Sequence, residues 1–312
     1  MTATRKRKKI LVPLDGSKRC LGTVQYITKI EPFQNSRIVL FHVYSAVPES
    51  FYDLEKDPRS SSTVQNVRAW ESRQKQVIQD YMQKAKQMLL YSGFSEDGVT
   101  VKIQKRKKGI ARDIIREAGE DYFAVVARRR GMTGMRGIVL GSVATKLLEK
   151  LSFIPFIMAG RAMPGNKILL AFDGSEGAMR AVDFVGSILG GYNFNVGLIN
   201  VIRGDGETYP RYKHIFSPKD HTELVKNEMA LAFDEAKTKL IESGFKADRV
   251  STKIITGAYS RARAIVDETK QEGYGTIVLG RRGVSRPRDF FIGRVTNKVI
   301  HMARDRTVWV VR

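Results

Sequence analysis

Most apolar residues in this chain fall into short runs separated by longer amphipathic stretches. Runs that are apolar at nearly every position predict strands covered on both faces, as in a parallel sheet. In the first half they predict strands at 9–14, 37–43, 99–105, 122–127 and 153–159. In the second half they predict strands at 166–172, 194–201, 250–256, 275–280 and 306–311. Between them lie helical patterns, the longest over Arg68–Tyr91 and Thr222–Glu242. The second of these carries Leu224, Met229, Leu231, Phe233, Ala236 and Leu240, mostly at helical spacing.

The halves repeat each other. Lys9-Ile10-Leu11-Val12-Pro13-Leu14-Asp15-Gly16-Ser17 returns 158 residues later as Lys167-Ile168-Leu169-Leu170-Ala171-Phe172-Asp173-Gly174-Ser175. Arg37–Val43 answers Asn195–Val201, and Ala124–Ala127 answers Thr276–Leu279. A period this long marks a duplicated domain rather than a solenoid. The expected organisation is one domain over 1–160, a linker over 161–165 closed by Pro164-Gly165, and a second domain over 166–312. Alternation of strand and helix, with right-handed crossovers, predicts an α/β fold: two tandem five-stranded parallel, doubly wound, Rossmann-like sheets. Ligands of such sheets sit at the carboxyl ends of the strands, at the switch point.

Two features stand at those ends. Asp15-Gly16-Ser17 and Asp173-Gly174-Ser175 follow the first strand of each half. Each carboxylate can meet a ligand, or it can cap the next helix; both readings stay open. After the fourth strand, half two has Gly280-Arg281-Arg282-Gly283, nine residues, then Gly293-Arg294. Half one has Arg128-Arg129-Arg130-Gly131, nine residues, then Gly141-Ser142-Val143. Glycines let backbone N–H groups approach an anion, and the second segment opens a helix whose N-terminus favours phosphate. A connecting glycine turn is the plainer reading, but two copies at equal spacing strengthen the phosphate one.

With these motifs the chain resembles a tandem universal stress protein, the likeness covering nearly all of it. The resemblance implies that the two domains form a pseudo-dimer through their last strands, Phe153–Ala159 and Thr307–Val311, and bind ATP or a related adenine nucleotide. It implies adenosine contacts from Asp15 and Val43, and from Asp173 and Val201, and it matches Gly109 and Gly257 to the glycine ending the third strand. It implies phosphate contacts from Gly131, Gly141, Ser142 and Val143, and from Gly280, Gly283 and Gly293. Arg128 replaces the first glycine of one motif, and Arg294 the Ser or Thr of the other. Each guanidinium either clamps phosphate or fills the pocket. The resemblance implies a stress-response regulator with no dedicated catalysis.

Charge adds a second candidate. Fifty-four Lys and Arg against 32 Asp and Glu give +22, divided +14 over residues 1–160 and +8 over 161–312. Such a field favours anionic partners. The basic runs 5–9, 105–108 and 128–130 all lie in half one and have no interleaved aromatics, which argues against a single-strand stacking platform. The run at 5–9 reads as a solvated or disordered arm. The other two flank strand ends, where they can serve a nucleotide. The alternative function is therefore a basic scaffold, without nucleotide, that docks acidic partners or nucleic acid. No Walker motif, carboxylate cluster for a committed magnesium site, or apolar run of transmembrane length occurs. Cys20 is the one cysteine and reads as a buried apolar residue. His42 reads as structural. A cytoplasmic protein is expected, with homo-oligomerisation open.

Overall fold

The computed structural model describes residues 7–47, 61–129, 140–162, 164–203, 218–283 and 292–312. Phe51–Leu54 and Tyr209–Tyr212, which fall on the long segments after the second strand of each half and on sequence alone read as a lid, a partner surface or a plain loop, lie outside them, as do the motif residues Arg130 and Gly131. Half one runs β1 (Lys9–Pro13), α1 (Leu21–Thr28), β2 (Arg37–Tyr44), α2 (Ser61–Leu90), β3 (Val99–Lys105), α3 (Ile110–Ala118), β4 (Ala124–Arg128), α4 (Ser142–Lys150) and β5 (Phe156–Ala159). Half two repeats the order with β6 (Lys167–Ala171), α5 (Glu176–Leu189), β7 (Asn195–Arg203), α6 (Pro218–Glu242), β8 (Val250–Ala258), α7 (Arg261–Gln271), β9 (Thr276–Gly280), α8 (Arg294–Met302) and β10 (Thr307–Val311). Strand five starts later than its apolar run, because Pro155 has no N–H for a ladder bond. Its carbonyl still accepts from Val125 at 3.0 Å.

The expected two sheets are joined into one. Ten strands lie in the order β3-β2-β1-β4-β5-β10-β9-β6-β7-β8. All neighbours are parallel except β5 and β10, which pair antiparallel with Ile157 opposite Trp309. The last strands of the halves thus meet as the resemblance implies. Each face of the sheet carries a core that crosses this junction. One includes Ile10, Val24 and Ile157 with Leu170, Val182 and Trp309. The other includes Leu147, Phe156 and Met158 with Leu169, Val299 and Val310.

Trp309 ties the halves together. It is fully buried, its ring lies 6.4 Å from Phe33 and 5.7 Å from Phe184, and its Nε1 donates to the Tyr26 hydroxyl at 2.8 Å. Two details depart from the sequence pattern. Met229, Phe233, Ala236 and Leu240 make the buried stripe of α6, but Leu231 points to solvent, since two residues turn a helix about 200°. The basic N-terminal run is no free arm where it is described. Arg7 pairs with Asp97 at 3.0 Å, and the Lys8 and Lys9 ammonium groups lie 4.4 and 4.0 Å over the Phe123 and Tyr122 rings.

A shared core predicts shared unfolding. Trp309→Phe removes the indole N–H bonded to the Tyr26 hydroxyl and shrinks the ring contacts with both halves, at a cost of about 2–4 kcal/mol. Urea unfolding followed by circular dichroism should stay a single transition, shifted as a whole. Two separate transitions, with only one moved, would contradict the fused core.

Candidate functional site

At β1 and β6 the chain leaves the sheet on one side, and at β4 and β9 on the other, so a crevice opens between their carboxyl ends in each half. Asp173 Oδ1 accepts from the Ser175 amide at 3.2 Å and hydroxyl at 2.6 Å, while Ser175 Oγ accepts from the Ala178 amide at 3.2 Å. In half one, Asp15 Oδ1 accepts from the Ser17 amide at 2.9 Å and Ser17 Oγ from the Cys20 amide at 3.2 Å. Ser175 therefore caps α5 in half two, whereas in half one these bonds shape the turn before α1, whose N-cap Cys20 makes no side-chain capping bond. One step back, His42 Nδ1 donates to the Leu14 carbonyl at 2.8 Å, and Asn200 Nδ2 does the same for Phe172 at 2.8 Å. These bonds fix the turn that presents each aspartate. His42 is structural, as expected; burial pushes its imidazole below the ordinary value of 6.5. Cys20 is buried nearby, and burial first, then Asp15, pushes its thiol up to about 12.

The second half assembles its motif closely. A Cβ on Gly280 would stand 2.7 Å from the Gly177 backbone, and one on Gly177 would stand 2.4 Å from the Arg282 carbonyl oxygen. The strand end and the first turn of α5 touch through these two glycines. A Cβ on Gly283 would stand 2.1 Å from Asp173 Oδ2. The motif's second glycine therefore lies against the carboxylate from β6. Gly293 starts α8, and its N–H donates to the Arg281 carbonyl at 2.8 Å. Gly141 starts α4 in half one and donates to the Arg129 carbonyl at 2.8 Å. Neither N-cap glycine has a side chain to compete for the first-turn amides. Ser142 and Arg294 open these helices on the exposed surface, with Val143 partly buried behind Ser142. Val43 and Val201 are buried at the ends of β2 and β7. Gly109 and Gly257, at φ +139° and +74°, follow or end the third strands, and a Cβ at either would meet nothing within 4 Å. Conformation rather than space selects glycine there.

Arg128 is bonded to the backbone of its own half. Its Nη1 donates to the Gly160 carbonyl at 2.8 Å, and its guanidinium lies over Gly22, whose Cβ would stand 2.7 Å from Nη1. Burial lowers its pKa. Half two makes the same bond from the other side. Arg128 pairs with Ala159 and Gly280 with Val311, so Gly160 corresponds to Arg312. The Arg312 carbonyl accepts from Arg180 Nε at 2.7 Å, and Arg180 stands where half one has Gly22. Arginine and glycine have exchanged places between strand end and helix. With side chains at Arg19 and Arg128, where half two has Gly177 and Gly280, the first helix cannot come as close. It begins at Leu21, three residues later than α5 does in the repeat.

Sequence reasoning missed the next residue. Arg129 and Arg281 are each 5% exposed, and burial pushes both guanidinium groups down to about 10. Arg281 donates to Leu148, Glu149 and Leu151 carbonyls at 2.7, 2.8 and 3.3 Å, capping the C-terminus of α4. Arg129 donates to Ile300 and, at 3.1 Å, to Arg306 across the junction, capping α8. The run 128–130, read as serving a nucleotide, thus spends its two described members on backbone carbonyls. The clue was the matching position of a cation just after a buried strand in both halves. Two hollows, about 400 Å³ beside Val47, Val67 and Trp70 and about 250 Å³ beside Phe233, Asp234 and Lys253, contain none of the motif residues.

The Universal stress protein family profile matches residues 6–154 and 165–312. Universal stress protein YxiE of Bacillus subtilis (strain 168) is 25% identical over 143 residues, covering 44% of this chain and 93% of its own. A universal stress protein from Archaeoglobus fulgidus DSM 4304 superposes with TM-score 0.61 at 20% identity, covering 99% of both chains. A functionally unknown protein, PA1789, from Pseudomonas aeruginosa PAO1 superposes at 0.54 with 17% identity, over 98% of this chain and 92% of that one.

Two outcomes are expected. Arg128→Gly should cost about 1–3 kcal/mol by leaving the Gly160 carbonyl unbonded, and adding Gly22→Arg should return at least half of it by copying half two. Additive losses in the double-mutant cycle, read by urea denaturation, would contradict the exchange. The folded state resists protonating His42, so its contribution is full above pH 6.5 and is lost as pH falls below that value. His42→Asn, which keeps the bond to Leu14, should flatten the fall in Tm between about pH 7.5 and 5. Equal slopes in the two proteins would show that His42 does not carry it.

Proposed function

We propose, from the premise that this chain belongs to the universal stress protein family in both of its halves, that it binds ATP or a related adenine nucleotide as a regulatory ligand in the stress response. Half two is the better-equipped site. The observation that carries the reading is the contact between Asp173 and Gly283, with Gly293 starting α8 beside them. A nucleotide has two unlike ends. Its ribose hydroxyls need an acceptor, which a strand-end carboxylate offers. Its phosphates need N–H donors and a positive dipole end, which a glycine-started helix offers. Val201 and Gly257 lie at the neighbouring strand ends, where the adenosine contacts of the family fall.

In half one, Gly141 and Ser142 supply the same kind of helix start, and Asp15 the same turn. Since Arg128 is bonded to Gly160, its guanidinium neither clamps phosphate nor plugs the pocket in this reading. Arg294 stands at the first helical position of α8, exposed, where it can reach a phosphate in place of a hydroxyl. No catalytic role is assigned: the reading is of a sensor whose bound ligand changes what the protein presents to partners. Among the described residues, no group of three or more His, Cys, Asp or Glu could hold a metal ion, and no helix is long and apolar enough to cross a membrane.

Titration calorimetry with ATP at near-physiological salt tests the reading. Saturable binding is expected in the wild type. Gly283→Ala, which drives a methyl into Asp173, should weaken the half-two site about tenfold or more, with little change in Tm. No saturable heat in the wild type would leave the basic docking body as the function to pursue.

A further inference from the structure

The two buried arginines do more than join the halves. Each belongs to a glycine motif, and each reaches the far end of the helix that serves the other motif. The Arg281 carbonyl accepts from Gly293, which starts α8, while its guanidinium holds the Leu148, Glu149 and Leu151 carbonyls that end α4. The Arg129 carbonyl accepts from Gly141, which starts α4, while its guanidinium holds the Ile300 carbonyl that ends α8. The bonds close a ring: Arg129, Gly141, α4, Arg281, Gly293, α8, and back to Arg129. We infer that Arg281 is a positioning residue for the site of the first half and Arg129 for the site of the second, so each site is held in shape by the loop of the other.

This inference rests on the nucleotide reading for what the sites bind, and on the ring alone for how they are linked. Four points favour positioning over plain adhesion. The junction already has the β5–β10 ladder and the Trp309 cluster, so it does not need buried cations to hold it closed. Placing a guanidinium at 5% exposure is costly, and Arg129 leaves its Nε without a partner. A cation at a helix C-terminus is the one location where carbonyls and dipole both favour it, and the same dipole presents its positive end to phosphate at the N-terminus. Finally, α4 and α8 have nine residues each, a rod of roughly 13 Å, short and stiff enough that moving one end moves the other.

The test uses the full chain, with ATP as the probe and hydrogen exchange of peptides covering 142–150 and 294–302 as separate readouts. Arg281→Gln should raise the ATP concentration that half-protects 142–150 by about fivefold or more, leaving 294–302 within about twofold. Arg129→Gln should do the reverse. Arg281→Lys, which keeps the charge but loses the fork, should fall between wild type and Gln, and it replaces the Gln variant if that fails to fold. A purely structural role would lower Tm and shift both helices together, and that result overturns the inference. So does an unmoved opposite helix. If ATP protects neither helix in the wild type, the nucleotide reading falls, and the ring is judged without ligand. Arg281→Gln must then speed exchange at the first turn of α4 about tenfold more than in β1 and β2. Uniform acceleration, or none, overturns it.

Discussion

The antiparallel ladder between β5 and β10 is the constraint on which the rest of this molecule depends. It turns two five-stranded sheets into one of ten and puts the edge strand of each half under the core of the other. An edge that would otherwise offer unpaired N–H and C=O groups is consumed. Trp309 can then be fully buried against Phe33, Phe184 and Tyr26, residues of both halves. The same ladder brings the ends of β4 and β9 close enough for each following arginine to reach the opposite helix.

The halves show how one geometric requirement is met with different residues. The carbonyl after the fifth strand is held by an arginine from the fourth strand in half one and from the first helix in half two, with glycine opposite in each case. The turn before the aspartate is held by a histidine in one half and an asparagine in the other. A lysine on the third strand meets a buried glutamate on the following helix in both, Lys102 with Glu117 at 2.6 Å and Lys253 with Glu268 at 2.8 Å. Duplication preserved the positions to be bonded and let the donors drift. A departure from a family motif, such as Arg128, is therefore read best from what its side chain bonds.

Strands and motif spacing were legible because buried parallel strands are apolar throughout and glycine spacing is local. The helix over Ser61–Leu90 begins earlier than predicted: the weak helix preference of Ser61-Ser62-Thr63-Val64-Gln65-Asn66-Val67 hid its first turns from the sequence pattern, and Val64 in them is buried. The late start of α1 depends on what faces Arg19 and Arg128 in space, and the roles of Arg129 and Arg281 depend on carbonyls at least 130 residues away. Local sequence holds no trace of either partner. Part of the charge is likewise turned inward, where sequence does not show it: some of the cations that suggested an anionic partner are bonded to the protein's own backbone and aromatic faces.

The proposed grip on a nucleotide lies in the second half, between Asp173 and the start of α8. A crystal structure of the full chain grown with ATP tests it most directly. Phosphate oxygens are expected at about 2.7–3.2 Å from backbone N–H groups of the Gly283 and Gly293 segments, with the ribose facing Asp173. Nucleotide bound away from these strand ends, or crystals at saturating ATP with both crevices holding solvent alone, would contradict it.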